Sequence, residues 1–204
     1  MSSNTLARVL SCLFHPLLIP VFVLTLLLSN GNLFSFTIPL NLKLMLVGIT
    51  VVSTILFPLI VTFFLLRIRV ISTIFMDVKE ERVYPILAAA LFYYITYFLL
   101  KGIQVSVIFS YFMLGATLLA ICSLVINFYS KISLHMIGMG SFVGLFIGLT
   151  LNFGMEFSLQ VVTGILLSGL LGYARLKSNA HTPSEIYSGF LMGVTVISVM
   201  IILL

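Results

Sequence analysis

The chain has 204 residues, 61% of them hydrophobic and 7% charged, with ten basic and five acidic side chains. A soluble domain carries about 25% charged residues, so this balance excludes an ordinary soluble globule, a disordered chain and a coiled coil. What remains is an all-α, polytopic transmembrane helix bundle, each span needing about 20 apolar residues. The length leaves room for six or seven spans in a single integral membrane domain, 1–204, and for no sizeable soluble domain.

The apolar runs count to seven, at about 9–29, 42–66, 83–100, 107–128, 135–153, 159–174 and 185–204. All should be helices, because backbone groups in lipid have to be satisfied internally. The first run is long and no small-x-small cleavage site follows it, so it is expected to be an anchor rather than a signal peptide. His15-Pro16 lies inside it with Pro20 close behind, which predicts a kinked helix whose histidine faces protein or the interface. The sharper reading of His15 is a substrate-headgroup or proton-relay contact. Asn30-Gly31-Asn32 is a turn cluster before the second run. Arg67, Arg69, Asp77, Lys79, Glu80, Glu81 and Arg82 mark the longest polar connection. Lys101-Gly102, Tyr129-Ser130-Lys131, Glu156 and the stretch from Arg175 to Pro183 separate the later runs. Cys12 and Cys122 lie in apolar runs and read as buried free thiols, with no clustering that would suggest a metal site.

Seven spans alternate the loops between two sides. One side takes Arg8, Arg67, Arg69, Lys79, Arg82, Lys131, Arg175 and Lys177, and the other only Lys43 and Lys101. By the positive-inside rule the first side is cytoplasmic. Glycines recur every four residues at Gly140, Gly144 and Gly148, small residues likewise at Gly164, Ser168 and Gly172, and Gly189 precedes Gly193. Such stripes predict close helix packing. The net charge of +5 suits an anionic lipid surface or headgroup, and so apolar a chain gives no case for nucleic acid.

Three polar islands fall on the basic side, and ionisable groups at membrane depth are functional candidates. The first runs from Lys79 to Pro85; it reads either as a solvated loop opening a helix or as a pair, Lys79 and Arg82, that clamps a phosphate. The second is Lys131-Ile132-Ser133-Leu134-His135. Ser133 is a candidate N-cap, and a helix start is equally an anion site to which Ser133 adds a donor and His135 a proton. In the third, Thr182-x-x-Glu185 with Pro183 forms a capping box. His181 lies four residues before Glu185, so the carboxylate can also reach the imidazole and fix its tautomer, the orienter logic of a histidine nucleophile.

At these residues the chain resembles the membrane-bound type 2 phosphatidic acid phosphatase family, within the acid phosphatase and vanadium haloperoxidase superfamily. The most specific match is Arg175-x5-His181-x3-Glu185, followed by Ile186 to Gly193; Ser133-Leu134-His135 matches a second motif and Lys79-x2-Arg82-x2-Pro85, loosely, a first. The resemblance covers about residues 79–193, a phosphatase-like core, and implies a metal-independent membrane hydrolase without cofactor. It makes His181 the nucleophile, Glu185 its orienter, His135 the acid and base, and Lys79, Arg82, Ser133 and Arg175 the phosphate holders. It implies a lipid substrate with a phosphate headgroup, the tail lying between helices. Phosphatidate, phosphatidylglycerol phosphate, undecaprenyl diphosphate and lipid A are the candidates, and a bacterial cytoplasmic (inner) membrane is the expected location. Family members usually work on the outer face, whereas the charge bias points inward. This sequence has Glu185 where the family has Asp, Ala174 where it has Ser, and Leu134 where it has Gly. Those departures sustain an alternative: a non-hydrolytic lipid-phosphate binder, transporter or scramblase that keeps the anion site.

Overall fold

A computed structural model of the chain describes residues 3–29, 38–73, 76, 78–101, 103 and 107–204, with side chains described from Ala7 onward. The turn expected at Asn30-Gly31-Asn32, together with Asp77 and Gly102, lies outside the described residues. Among the described residues the regular elements are all helical: α1 (Ser3–Leu13), α2 (Ile19–Leu28), α3 (Leu40–Val51), α4 (Phe57–Arg67), α5 (Val83–Lys101), α6 (Val107–Asn127), α7 (Leu134–Phe153), α8 (Ser158–Lys177) and α9 (Pro183–Ile202), with short irregular turns between some of them. Among the described residues, seven stretches are long and apolar enough to cross a membrane: Ala7–Leu28, Leu40–Arg67, Glu80–Lys101, Val107–Asn127, Leu134–Phe153, Ser158–Lys177 and Pro183–Ile202. They coincide with the seven apolar runs to within a few residues, and the protein is a multi-pass helical membrane protein.

Prolines explain two irregularities. A residue before proline is pushed out of the helical region, and His15 is extended at φ −64°, ψ 136°. The expected kink is therefore a break: α1 stops at Leu13, and a short 3-10 turn over Pro16–Leu18 leads into α2. The second case is Pro58, which brings no N–H and whose ring crowds the carbonyl four residues back. Here the helix widens instead of breaking. Residues Val52–Leu56 form a π segment, with the Phe57 N–H reaching back to the Val52 carbonyl.

The chain forms two compact units, residues 20–124 and residues 1–19 with 125–204. The phosphatase-like core expected over 79–193 draws on both. In the unit of residues 20–124, α5 packs against the α3–α4 helix at its π segment. The buried Thr96 hydroxyl donates to Ser53 Oγ at 2.6 Å, and Phe57 stacks on Phe92 with ring centres 5.3 Å apart. Hydroxyl pairs of this kind serve as glue between helices in lipid.

The other unit is built around α7, which packs on α8, on α9 and on the Pro16–Leu18 turn, while α1 packs on α8. The glycine stripes cause this arrangement. A Cβ on Gly140 would strike the Phe190 carbonyl, one on Gly144 would lie 2.5 Å from the Val194 carbonyl, and one on Gly193 would strike the Ile137 carbonyl. Gly189 faces the Ser133 carbonyl and Gly148 faces Ile201, so α7 and α9 run parallel with their backbones touching. Ser198 then donates across the seam to the Gly144 carbonyl at 2.9 Å. Gly164 of α8 meets Val143 and Phe142 in the same way. Helix α7 ends where Gly154 takes φ +63°, a left-handed conformation that costs glycine little.

Two sequence expectations change. Cys12 and Cys122 are free but exposed, not buried. A membrane helix is apolar on its lipid-facing side as well as its protein-facing side, so an apolar run does not reveal which way a thiol points. Ser133 occupies the N-cap position of α7, yet its side chain makes no capping hydrogen bond.

Candidate functional site

Because α7 and α9 are parallel, both begin at the same end of their unit, and α8, running back between them in sequence, ends there too. Two of the three polar islands are thereby joined: the Ser133 N–H donates to the Glu185 carbonyl at 3.3 Å. The loop from α8 to α9 is short because Asn179 adopts φ +53°, which asparagine tolerates better than most residues. The Arg175 carbonyl accepts from the Ala180 N–H and from the Ser178 hydroxyl, each at 3.1 Å. This turn delivers His181, buried, to the Lys131 carbonyl.

His181 Nδ1 lies 3.0 Å from the Lys131 carbonyl and 3.0 Å from Glu185 Oε2. Both partners are acceptors when the carboxylate is ionised, so Nδ1 carries the proton and Nε2 is the basic nitrogen. Glu185 has a second task. Its Oε2 also accepts from the Thr182 N–H at 3.1 Å, while Thr182 Oγ1 accepts from the Glu185 N–H at 3.4 Å. The capping box and the imidazole contact therefore coexist on one carboxylate.

His135, on the first turn of α7, puts Nε2 3.0 Å from the Ser11 carbonyl, and its ring meets His15 edge-on at 5.4 Å. Arg175, Ser11, His15 and His181 surround it closely enough to contact it or act on it electrostatically. Arg175, on the last turn of α8, donates from Nη1 to Ser11 Oγ over a long 3.4 Å. Its Nε, and the Ser133 hydroxyl, are buried with no hydrogen-bond partner in the protein. A buried donor left unmade costs about 1–3 kcal/mol, so each such group asks for an explanation. Two unsatisfied donors beside two helix starts suit an anion.

His181, His135, Glu185, Ser133, Arg175 and His15 thus come together in one unit. Lys79 and Arg82 belong to the other. Arg82 is buried there, with Nε donating to the Met76 carbonyl at 3.0 Å. Neighbouring Glu81 accepts from the Ser72 N–H at 3.1 Å and from its hydroxyl at 3.2 Å. Among the described residues, no group of three or more His, Cys, Asp or Glu side chains is placed to hold a metal ion. Sequence reasoning missed Ser11, which carries no motif and joins the cluster only through contacts with residues more than a hundred positions away.

Fold and site together define a multi-pass helical membrane protein with a histidine-centred polar cluster at one end of its C-terminal helices. No family model, curated protein or solved structure matches the chain.

Proposed function

We propose that the protein is an integral membrane phosphatase acting on a lipid phosphate or diphosphate, a divergent relative of the type 2 phosphatidic acid phosphatases. The observation that carries this reading is His181, with Nδ1 held by Glu185 and the Lys131 carbonyl, in the same polar cluster as the Ser133 hydroxyl and Arg175 Nε, both buried without a hydrogen-bond partner. A phosphate at this end of the unit would receive those two donors. His181 Nε2 attacks phosphorus and a P–N bond forms as the P–O bond to the lipid breaks. His135, protonated, gives its proton to the departing oxygen. In the second half, His135 takes a proton from water as the water oxygen attacks phosphorus. The P–N bond then breaks, releasing phosphate and restoring both histidines. Glu185 favours the Nδ1-protonated imidazole that this chemistry needs throughout. The reading rests on the one unit alone, and the bacterial cytoplasmic membrane is its proposed setting.

The test is phosphate release by purified protein in detergent, without added divalent metal, from phosphatidate, phosphatidylglycerol phosphate, undecaprenyl diphosphate and lipid A. Wild type should release phosphate from at least one, and His181→Ala from none. Absence of release from every substrate, with lipid binding intact, would leave the non-hydrolytic binder. Equal rates for wild type and His181→Ala would remove His181 as nucleophile.

A further inference from the structure

Helix α1 lies outside every motif, yet it contributes two contacts to the cluster. The break at His15-Pro16 makes the first of them available. In an uninterrupted helix the Ser11 carbonyl would accept from the His15 N–H, four residues on. Here the His15 N–H turns instead to the Cys12 carbonyl at 3.3 Å. Ser11 thus belongs to the group of carbonyls that a helix end leaves without a partner in its own helix, and His135 Nε2 takes it up at 3.0 Å. A carbonyl only accepts, so Nε2 carries the hydrogen and Nδ1 is the basic nitrogen of neutral His135. The second contact is the Ser11 hydroxyl, which receives Arg175 Nη1. The C-terminal end of a helix also favours neighbouring cations, here the guanidinium and, during turnover, the imidazolium.

We infer that Ser11 is a positioning residue of the site: its carbonyl, released by the His15-Pro16 break, fixes His135 so that Nδ1 gives and takes the catalytic proton, and its hydroxyl steadies Arg175. The inference rests on the phosphatase reading for its catalytic meaning, while the tautomer it assigns can be measured without any substrate. Replacing Pro16 lets α1 run on through His15, whose N–H then competes for the Ser11 carbonyl.

The chain has three histidines, so a protein labelled with nitrogen-15 at histidine gives few ring signals, each assignable by one substitution. In detergent, at a pH where the rings are neutral, His135 should be protonated at Nε2 in wild type and should lose that preference in Pro16→Ala. Protonation at Nδ1 in wild type, or an unchanged His135 signal in Pro16→Ala, overturns the inference whether or not the protein hydrolyses anything. The kinetic arm addresses the hydroxyl. Ser11→Ala should lower kcat/KM about tenfold, mainly through KM, because Arg175 would meet the phosphate in ground and transition states alike. Ser11→Thr, which keeps the hydroxyl, should restore it. Equal losses in both variants would show a packing role only. Absence of hydrolysis of every substrate by wild type would defeat the phosphatase reading and leave the tautomer result standing.

Discussion

Glu185 Oε2 is shared between two donors, His181 Nδ1 at 3.0 Å and the Thr182 N–H at 3.1 Å. One oxygen thus starts a transmembrane helix and orients the proposed nucleophile. The two roles separate on substitution. A glutamine keeps an oxygen for the cap but loses the charge that stabilises an imidazolium. Glu185→Gln should melt within about 1 kcal/mol of wild type, while phosphate release falls by on the order of a hundredfold or more. Thermal unfolding and single-turnover hydrolysis on the same preparation check both halves.

Ser133→Ala is expected to dissociate stability from activity in the opposite way to an ordinary cap mutation. Loss of a working N-cap costs about 0.5–2 kcal/mol, but the Ser133 hydroxyl caps nothing and is buried unpartnered. The alanine variant should therefore be as stable as wild type or more so. Its affinity for inorganic phosphate, measured by the shift in melting temperature with added phosphate, should drop about tenfold, one lost hydrogen bond's worth.

The seam between α7 and α9 predicts a sharp contrast among glycines. Gly193→Ala places a methyl against the Ile137 carbonyl and 2.8 Å from the Ser141 nitrogen, whereas a Cβ at Gly169 meets nothing within 4 Å. The first should destabilise by roughly 1–3 kcal/mol through overpacking. The second should be neutral or stabilising by up to about 1 kcal/mol, the helix preference of alanine over glycine. Urea or thermal melts in detergent distinguish them.

Sidedness within one unit is also testable. After replacement of the exposed Cys12 and Cys122, single cysteines at Ser130 and Asn179 should label from one membrane face and a cysteine at Glu156 from the other. The first two follow or precede the same ends of α6, α7, α8 and α9, and the third lies in the turn between α7 and α8. Labelling of all three from one face would contradict the span assignment.

Much of this architecture is written locally. Twenty-residue apolar runs specify spans without reference to partners, a four-residue glycine period specifies which helix faces can touch, and His181 and Glu185 sit four apart across one helix start. Each is a short-range regularity. What the sequence does not carry is long-range. Nothing near Ser133 says that its hydroxyl is turned away from capping duty, since the N-cap pattern is the same either way. Nothing near Ser11 says that its carbonyl meets His135 and its hydroxyl Arg175, because those contacts depend on α1 lying against α8. The π segment at Val52–Leu56 is intermediate: Pro58 signals a disturbance, but the same residue type goes with a break at Pro16 and with a widened helix at Pro58.

The backbone contact between α7 and α9 bears on where a lipid can go. At Gly140, Gly144, Gly189 and Gly193 no side chain separates the two helices, and a single added carbon already collides with the opposite main chain. A hydrocarbon tail is far thicker than that. A lipid whose headgroup docks at the start of α7 and α9 therefore has to lay its chain along another flank of the unit, and the expectation of a tail threaded between helices is narrowed to exclude this pair.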